Sequence, residues 1–232
     1  GSIKIARILK TKESTIQNYI YKPYRKPIPI HLIEKIKEEN LLPLKYSNPK
    51  LKTISRITGH LYGDGWYYLS KNKKKVLGFS GKIEDLERIK KDLNLLNIKH
   101  QNIYSRITKS KINHIERGQT EVKGTSNSFH VTDSKLTRLI DALNIPSGNK
   151  VNKKIMIPNW LMKSPKSIKR EFLSALMGSE AHKPINKKGT RQFYAIRLSF
   201  YKKKELKQNG IEYANQIKKL FNKFDVDCNI ST

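Results

Sequence analysis

Two nine-residue stretches decide the fold that the sequence predicts: ITGHLYGDG at residues 57–65 and LSALMGSEA at residues 173–181. Each stretch closes a predicted helix and carries one acid next to its end, Asp64 in the first and Glu180 in the second. The acids occupy the same position in their stretches, 116 residues apart in the chain. The pattern therefore predicts two matched helix ends, each offering one carboxylate.

Both stretches also contain two small residues spaced four apart, Gly59 and Gly63 in the first and Ala175 and Ser179 in the second. A spacing of four places both on one face of a helix, where a second backbone can approach closely. If the helices pack in parallel through these faces, their two acids emerge side by side.

Two carboxylates at the ends of paired helices repel each other, and helix C-termini are already negative. A divalent cation would relieve both effects, and hard oxygen ligands suit Mg²⁺, with Mn²⁺ as a substitute. The backbone carbonyls of Gly63 and Ser179 could complete such a site. The plainer alternative is that Asp64 is a turn residue and Glu180 a solvated acid, but their matched positions favour the metal.

The predicted elements around the two stretches repeat in order, which indicates an internal duplication. Turn signals and hydrophobic spacing predict an α-β-β-α-β unit in the first half and its beginning again in the second. In the first half we expect helices at 51–62, from 83 onward and at 133–143, and strands at 66–69, 76–80, 102–108 and 127–132. In the second half we expect a helix at 167–178, a strand at 194–200 and a helix at 211–224.

The N-terminal segment, residues 1–45, lies outside this repeat. Two short helices are expected within residues 3–21, joined at Lys10-Thr11-Lys12, with a further helix at 31–39 after a proline-rich, basic linker. The first two helices suggest either a DNA-reading helix-turn-helix or a plain helical hairpin.

The charge of the chain is strongly positive, with 48 Lys and Arg against 19 Asp and Glu and a net charge of +29. Such a surface favours nucleic acid or an anionic membrane as its partner. No apolar run approaches the roughly 20 residues of a spanning helix, so a membrane is not expected. The single cysteine, Cys228, excludes an intrachain disulfide and fits a reducing, cytoplasmic and nucleoid-associated setting.

The two stretches resemble the LAGLIDADG motif of homing endonucleases, with Asp64 and Glu180 at its acidic eighth position. Further stretches are similar to single-chain, two-motif members from archaeal introns and inteins, and the likeness covers about residues 50–232. They are FSGKIEDL at 79–86 and LSFYK at 198–202, at the strand-to-helix junctions of the two halves, and MIPNW at 156–160 with SP at 164–165. Ala181, where the motif has a final glycine, is a departure.

The resemblance implies an α+β fold of two αββαββα half-domains, residues 46–150 and 151–232, related by a pseudo-two-fold axis. The second half is expected to be truncated at its C-terminal end. Together the halves would form a saddle over double-stranded DNA, and a monomer would cut both strands at one long, nearly asymmetric site. A non-cleaving DNA-binding regulator and an RNA-splicing maturase are the alternatives.

By the same resemblance, Asp64 and Glu180 would bind the metals, and Lys82 and Lys202 would lie near the attacking water. Lys183 matches a lysine seen beside the second motif in some members. Calcium would support binding without cleavage. Strand positions also predict four DNA-contacting side chains, those of Tyr67, Arg106, Arg191 and Arg197.

Overall fold

The computed structural model describes residues 2–8, 12–21, 28–42, 44–69, 75–114 and 118–231. The chain divides into two compact units, Gly1–Leu44 and Lys45–Thr232. None of the described helices is both long and apolar enough to cross a membrane.

Among its described residues, the first unit contains three helices: α1 (Ser2–Ile8), α2 (Glu13–Tyr21) and α3 (Ile28–Glu38). The first two pack against each other, and Ala6 and Ile16 are buried. Lys10 and Thr11 of the predicted connection, and the linker prolines Pro23 and Pro27, lie outside the described residues. A helical hairpin is therefore present, while its use as a DNA reader stays a prediction.

The second unit contains a four-stranded antiparallel sheet in the order β1-β2-β4-β3. Its strands are β1 (Gly65–Leu69), β2 (Lys75–Gly81), β3 (Tyr104–His114) and β4 (Gly118–Val131), at the four positions expected in the first repeat. β3 and β4 extend beyond the expected ranges as a long hairpin. The buried face of the sheet centres on Phe79, which pairs with Phe129 in the register of β2 and β4.

Six helices complete this unit among the described residues: α4 (Lys50–Tyr62), α5 (Ile83–Leu95), α6 (Ser134–Ala142), α7 (Asn159–Met162), α8 (Lys166–Glu180) and α9 (Lys207–Asn222). A short 3₁₀ turn, Lys204–Leu206, precedes α9. The apolar stripe of α5 is buried at Leu86, Ile89 and Leu93, whereas Ile83 at its start is 51% exposed. Asp133 caps α6, because its side chain accepts a hydrogen bond from the backbone N–H of Lys135.

The strand expected at Tyr194–Phe200 is not formed. Residues between α8 and the 3₁₀ turn show only two isolated bridges, Ala181 with Leu198 and Asn186 with Phe193. Tyr194 and Ile196 are more than half exposed there, so no packed neighbour supports a ladder. Within the described residues the second repeat thus supplies helices α8 and α9 but no sheet, and the duplicated saddle stays a prediction.

Candidate functional site

Helices α4 and α8 pack in parallel along their length. Near their beginnings the Ser55 hydroxyl donates a hydrogen bond of 2.8 Å to the carbonyl of Ile168. Further along, a Cβ atom placed on Gly59 would lie 2.4 Å from the carbonyl oxygen of Phe172 and 2.7 Å from the Cβ of Ala175. Only glycine allows this approach, so the close parallel contact predicted from the small residues is confirmed.

The contact continues to the ends of both helices. A Cβ on Gly63 would lie 2.4 Å from the Cβ of Ser179 and 3.4 Å from the Cγ of Glu180. The two acids emerge here: Asp64 is exposed and Glu180 half-buried. Partial loss of solvent raises the pKa of both carboxyl groups, and the charge of Asp64 raises the pKa of Glu180 further. The two helix ends are therefore adjacent, and the charge of Asp64 reaches Glu180.

A lysine that sequence reasoning missed lies at the end of α4, close to the acids. The Lys150 ammonium donates hydrogen bonds to the carbonyl oxygens of Gly63, Tyr62, Leu61 and Gly65, the last three at 3.1 to 3.3 Å. Burial lowers the pKa of Lys150, and the nearby charges of the two acids oppose that shift. One lysine in a loop among 48 basic residues gives no sequence signal.

The oxygen atoms predicted to bind a metal are thus only partly available in this conformation. Of the two predicted backbone carbonyls, that of Gly63 already accepts a hydrogen bond from Lys150. Among the described residues, no group of three or more His, Cys, Asp or Glu side chains is placed to hold an ion. A metal here would use two carboxylates, backbone carbonyls and water, which is the ligand chemistry of Mg²⁺ and Ca²⁺.

A cavity of about 660 Å³ opens beside Asp64, between α4, α5, α8 and the end of β2. Its wall includes Lys82, because this residue lies between β2 and α5. It also includes His60, whose Nδ1 lies 3.3 Å from the Ser179 hydroxyl. Burial lowers the pKa of His60, which favours the neutral form of its imidazole. Sequence reasoning had passed over this histidine.

The other two predicted lysines differ in placement. Lys202 donates to the carbonyl oxygens of Lys150 at 2.5 Å and Lys153 at 2.7 Å, so it holds the loop that carries Lys150. Burial lowers the pKa of Lys202. Lys183 is exposed beyond the end of α8. The structure therefore brings Lys202 to the edge of the site and leaves Lys183 at the surface.

Of the four predicted DNA-contacting side chains, Tyr67 is misplaced. It is 5% exposed, and its hydroxyl donates to the carboxylate of Asp141 in α6. Side chains alternate along β1, so Tyr67 is turned toward the helices and Tyr68 is exposed. The prediction had assigned Tyr67 to the exposed face of the strand. Arg106 is exposed on β3, and Arg191 and Arg197 are exposed outside any strand.

An ion-pair cluster supports the helix pair from one side. The guanidinium of Arg56, on α4, donates to both carboxylate oxygens of Asp92 on α5, at 2.6 and 2.7 Å, and also to Glu171 on α8. The hydrogen bonds with Asp92 raise the pKa of Arg56. This cluster fixes the three helices that surround the cavity.

Curated archaeal proteins are similar to this chain over most of its length, whereas no family model matches it. The DNA-directed RNA polymerase subunit Rpo1N of Methanocaldococcus jannaschii is 32% identical over 199 residues, which are 86% of this chain and 15% of that protein. The tRNA-splicing ligase RtcB of Pyrococcus furiosus is 34% identical over 86% of this chain and 20% of the ligase. The replication factor C small subunit of M. jannaschii is 30% identical over 85% of this chain and 10% of that protein.

These names overturn the family assignment made from the sequence. The name tRNA-splicing ligase RtcB recurs in M. jannaschii, Pyrococcus abyssi and Methanopyrus kandleri at 30–33% identity, and no relative named here is a homing endonuclease. Membership of the LAGLIDADG homing endonucleases, and the DNA endonuclease activity that it implied, are corrected accordingly. The physical reason is that paired acids and lysines describe a local site, and a local site does not specify the activity of a protein.

The similarity covers only a small part of the length of each relative. The chain spans between 10% and 20% of the length of the three proteins compared in detail, so the likeness concerns one segment of each. Those proteins carry three different names for nearly the same share of this chain. The chain is similar to a segment found in an RNA polymerase subunit, a tRNA-splicing ligase and a replication factor subunit.

Proposed function

We propose that this chain is a nucleic-acid-binding module that holds a divalent cation between Asp64 and Glu180. The observation that carries the proposal is the parallel contact of α4 and α8, which brings the ends of both helices together, with Asp64 in the wall of an open cavity. Partial burial raises the pKa of Glu180 and the charge of Asp64 raises it further, so the two acids repel each other.

The nucleic-acid part of the proposal rests on charge and on the relatives. A net charge of +29 favours a polyanion, and exposed arginines such as Arg106 and Arg191 are available to contact phosphates. The three relatives compared above are named for transcription, tRNA splicing and replication. Because the tRNA-splicing name recurs, we propose structured RNA as the preferred ligand, with duplex DNA as the comparison.

The cation is proposed to be Mg²⁺, with Mn²⁺ as a substitute and Ca²⁺ as a non-reactive probe. Asp64 and Glu180 supply hard carboxylate oxygens, and water completes the coordination that Mg²⁺ prefers. Such a metal lowers the pKa of bound water and stabilises a developing charge on a phosphodiester oxygen. The imidazole of His60 and the ammonium of Lys82 line the same cavity and could move or hold a proton there.

A second candidate function is a contribution to phosphodiester chemistry on RNA, which the printed name of the ligase relatives favours. This chain corresponds to about a fifth of those proteins, so the complete ligase activity is ascribed to them and not to the segment. The segment would contribute RNA binding and a metal beside the phosphate.

The test measures binding and reaction together. Fluorescent RNA hairpins, intact and with one strand break, and a DNA duplex of equal length are titrated with the protein in Mg²⁺, in Ca²⁺ and in EDTA. We expect tighter binding of RNA than of DNA and a metal-dependent change in the RNA product in Mg²⁺ only. Equal affinity for both duplexes would remove the RNA preference, and absence of binding at low salt would refute the function as a whole.

The metal site is tested with Asp64→Asn and Glu180→Gln, each of which keeps the size of the side chain and removes one charge. Asp85→Asn, which makes the same change at an exposed acid on the rim of the cavity, is the matched control. Calcium binding by calorimetry should be lost in the first two variants and kept in the third. Retention of calcium binding in both site variants would contradict the assignment of Asp64 and Glu180.

A further inference from the structure

The ammonium group of Lys150 lies in a ring of carbonyl oxygens at the end of α4, where Asp64 follows the helix. It hydrogen-bonds the carbonyl oxygens on both sides of Asp64, those of Gly63 and Gly65. Both Asp64 and Glu180 are close enough to act on its charge. We propose that Lys150 is the resident cation of the paired-acid site and sets how tightly a divalent cation binds there, an inference that rests on the proposed metal site.

The carbonyl oxygens explain why a positive group settles at this point. The last carbonyls of a helix lack partners within the helix and carry the negative end of its dipole. Lys150 takes up those of Leu61 and Tyr62 at 3.3 and 3.1 Å, together with the two that flank Asp64. One ammonium thus compensates the negative end of α4, and its charge also acts on the acid that follows the helix.

The loop that presents Lys150 is anchored on both sides. On one side the backbone N–H of Gly148 donates to the carbonyl of Tyr67 in β1 at 2.6 Å. On the other, Lys202 donates to the carbonyls of Lys150 and Lys153. The backbone of this loop is therefore held in place, and the long side chain of Lys150 is the part that can leave.

A divalent cation and this ammonium compete for the same oxygens. The carbonyl of Gly63 faces Lys150, and a metal that used this oxygen and the two acids would stand next to a positive charge. Repulsion between a divalent ion and an ammonium a few ångströms away is large even at a protein surface. Divalent binding therefore requires Lys150 to swing out of the carbonyl cradle, and the ammonium is then free to approach a phosphate.

The experiment uses the whole chain, stripped of nucleic acid, with Lys150→Gln as the main variant, because its amide can still donate to the carbonyls without a charge. Lys150→Met removes the donors as well, Lys150→Arg keeps the charge, and Lys154→Met is the control at an exposed position of the same loop. Calcium affinity is measured by calorimetry and metal-free stability by thermal unfolding.

We expect Lys150→Gln and Lys150→Met to bind calcium on the order of tenfold more tightly while they unfold at a lower temperature without metal. Lys150→Arg and Lys154→Met should match the wild type in affinity. A merely structural lysine would lower stability and leave calcium affinity unchanged or weaker, and that result would overturn the proposal.

The outcomes separate this inference from the function on which it rests. If the wild type binds calcium through Asp64 and Glu180 but Lys150→Gln binds it no more tightly, only the resident-cation proposal fails. If neither protein binds calcium, both proposals fail. If Lys150→Gln does not fold, the folded Lys150→Met variant replaces it in the comparison with Lys150→Arg. Calcium affinity that is unchanged from the wild type in both of these variants overturns the inference.

Discussion

Replacing Gly59 by alanine should force apart the two helices that build the site. The new Cβ would lie 2.4 Å from the carbonyl oxygen of Phe172 and 2.7 Å from the Cβ of Ala175. Neither neighbour is the flexible end of a side chain, so the helices must separate. Overpacking of this kind costs about 1–3 kcal/mol, and the better helix propensity of alanine returns about 1 kcal/mol at most.

The matched control is Gly178→Ala on the partner helix. A Cβ at Gly178 meets nothing within 4 Å, so only the helix propensity changes. We expect Gly178→Ala to stabilise the protein by about 0.5–1 kcal/mol and Gly59→Ala to destabilise it by about 2 kcal/mol, at the upper end of the overpacking range after the propensity gain.

Urea unfolding followed by tryptophan fluorescence measures the difference. Both tryptophans, Trp66 and Trp160, lie in the second compact unit, so the signal reports on the unit that contains the helix pair. With a slope near 2 kcal/mol per molar urea, the two midpoints should differ by about 1.5 M. Equal midpoints, or a more stable Gly59→Ala, would refute the close contact and with it the placement of the acids.

Three further predictions follow from the same unit. Arg56→Met leaves Asp92 buried without its partner and should cost about 3 kcal/mol of the free energy of unfolding; Glu171→Gln, which changes the more exposed acid, should cost under about 1 kcal/mol. Burial and the neighbouring charge raise the pKa of Glu180, so its ionised form destabilises the metal-free fold. Glu180→Gln should therefore have a larger free energy of unfolding than the wild type at pH 7, and this difference should disappear as the pH falls below the ordinary carboxyl pKa near 4.5. A difference that grows toward low pH would contradict the raised pKa of Glu180. Finally, a plot of the logarithm of the association constant for a nucleic-acid duplex against the logarithm of salt concentration should have a slope near −7 to −9, which corresponds to about 8–10 neutralised phosphates. A slope shallower than about −3 would show that most of the charge faces away from the nucleic acid.

Local patterns were sufficient for most of the fold. Alternation and turn residues predicted all four strands of the sheet, and the small residues Gly59 and Gly63 predicted the parallel contact with α8. Both signals are contained in the spacing of neighbouring residues, which the sequence displays directly. The strand predicted at 194–200 failed, because a strand exists only through a partner, and extended propensity does not supply one.

The family and activity predicted from the motifs are contradicted by the names of the relatives. The parallel packing of the two helices that the small residues predicted is nevertheless present. The helix ends that carry Asp64 and Glu180 lie together, and Lys82 lines the cavity beside Asp64. A constellation of acids and lysines fixes which ions and phosphates a site can accept, but the chemistry performed depends on what surrounds it.

The amino-acid sequence by itself determined a basic chain, two matched helix ends and the pair of acids at their tips. The tertiary structure alone decided that Tyr67 faces the core, that His60 lines the cavity and that Lys150 enters the carbonyl cradle at the end of α4. The reason is distance along the chain. Lys150 lies 86 residues beyond Asp64, and a contact across such a separation depends on how whole elements pack, which no local pattern of residues records.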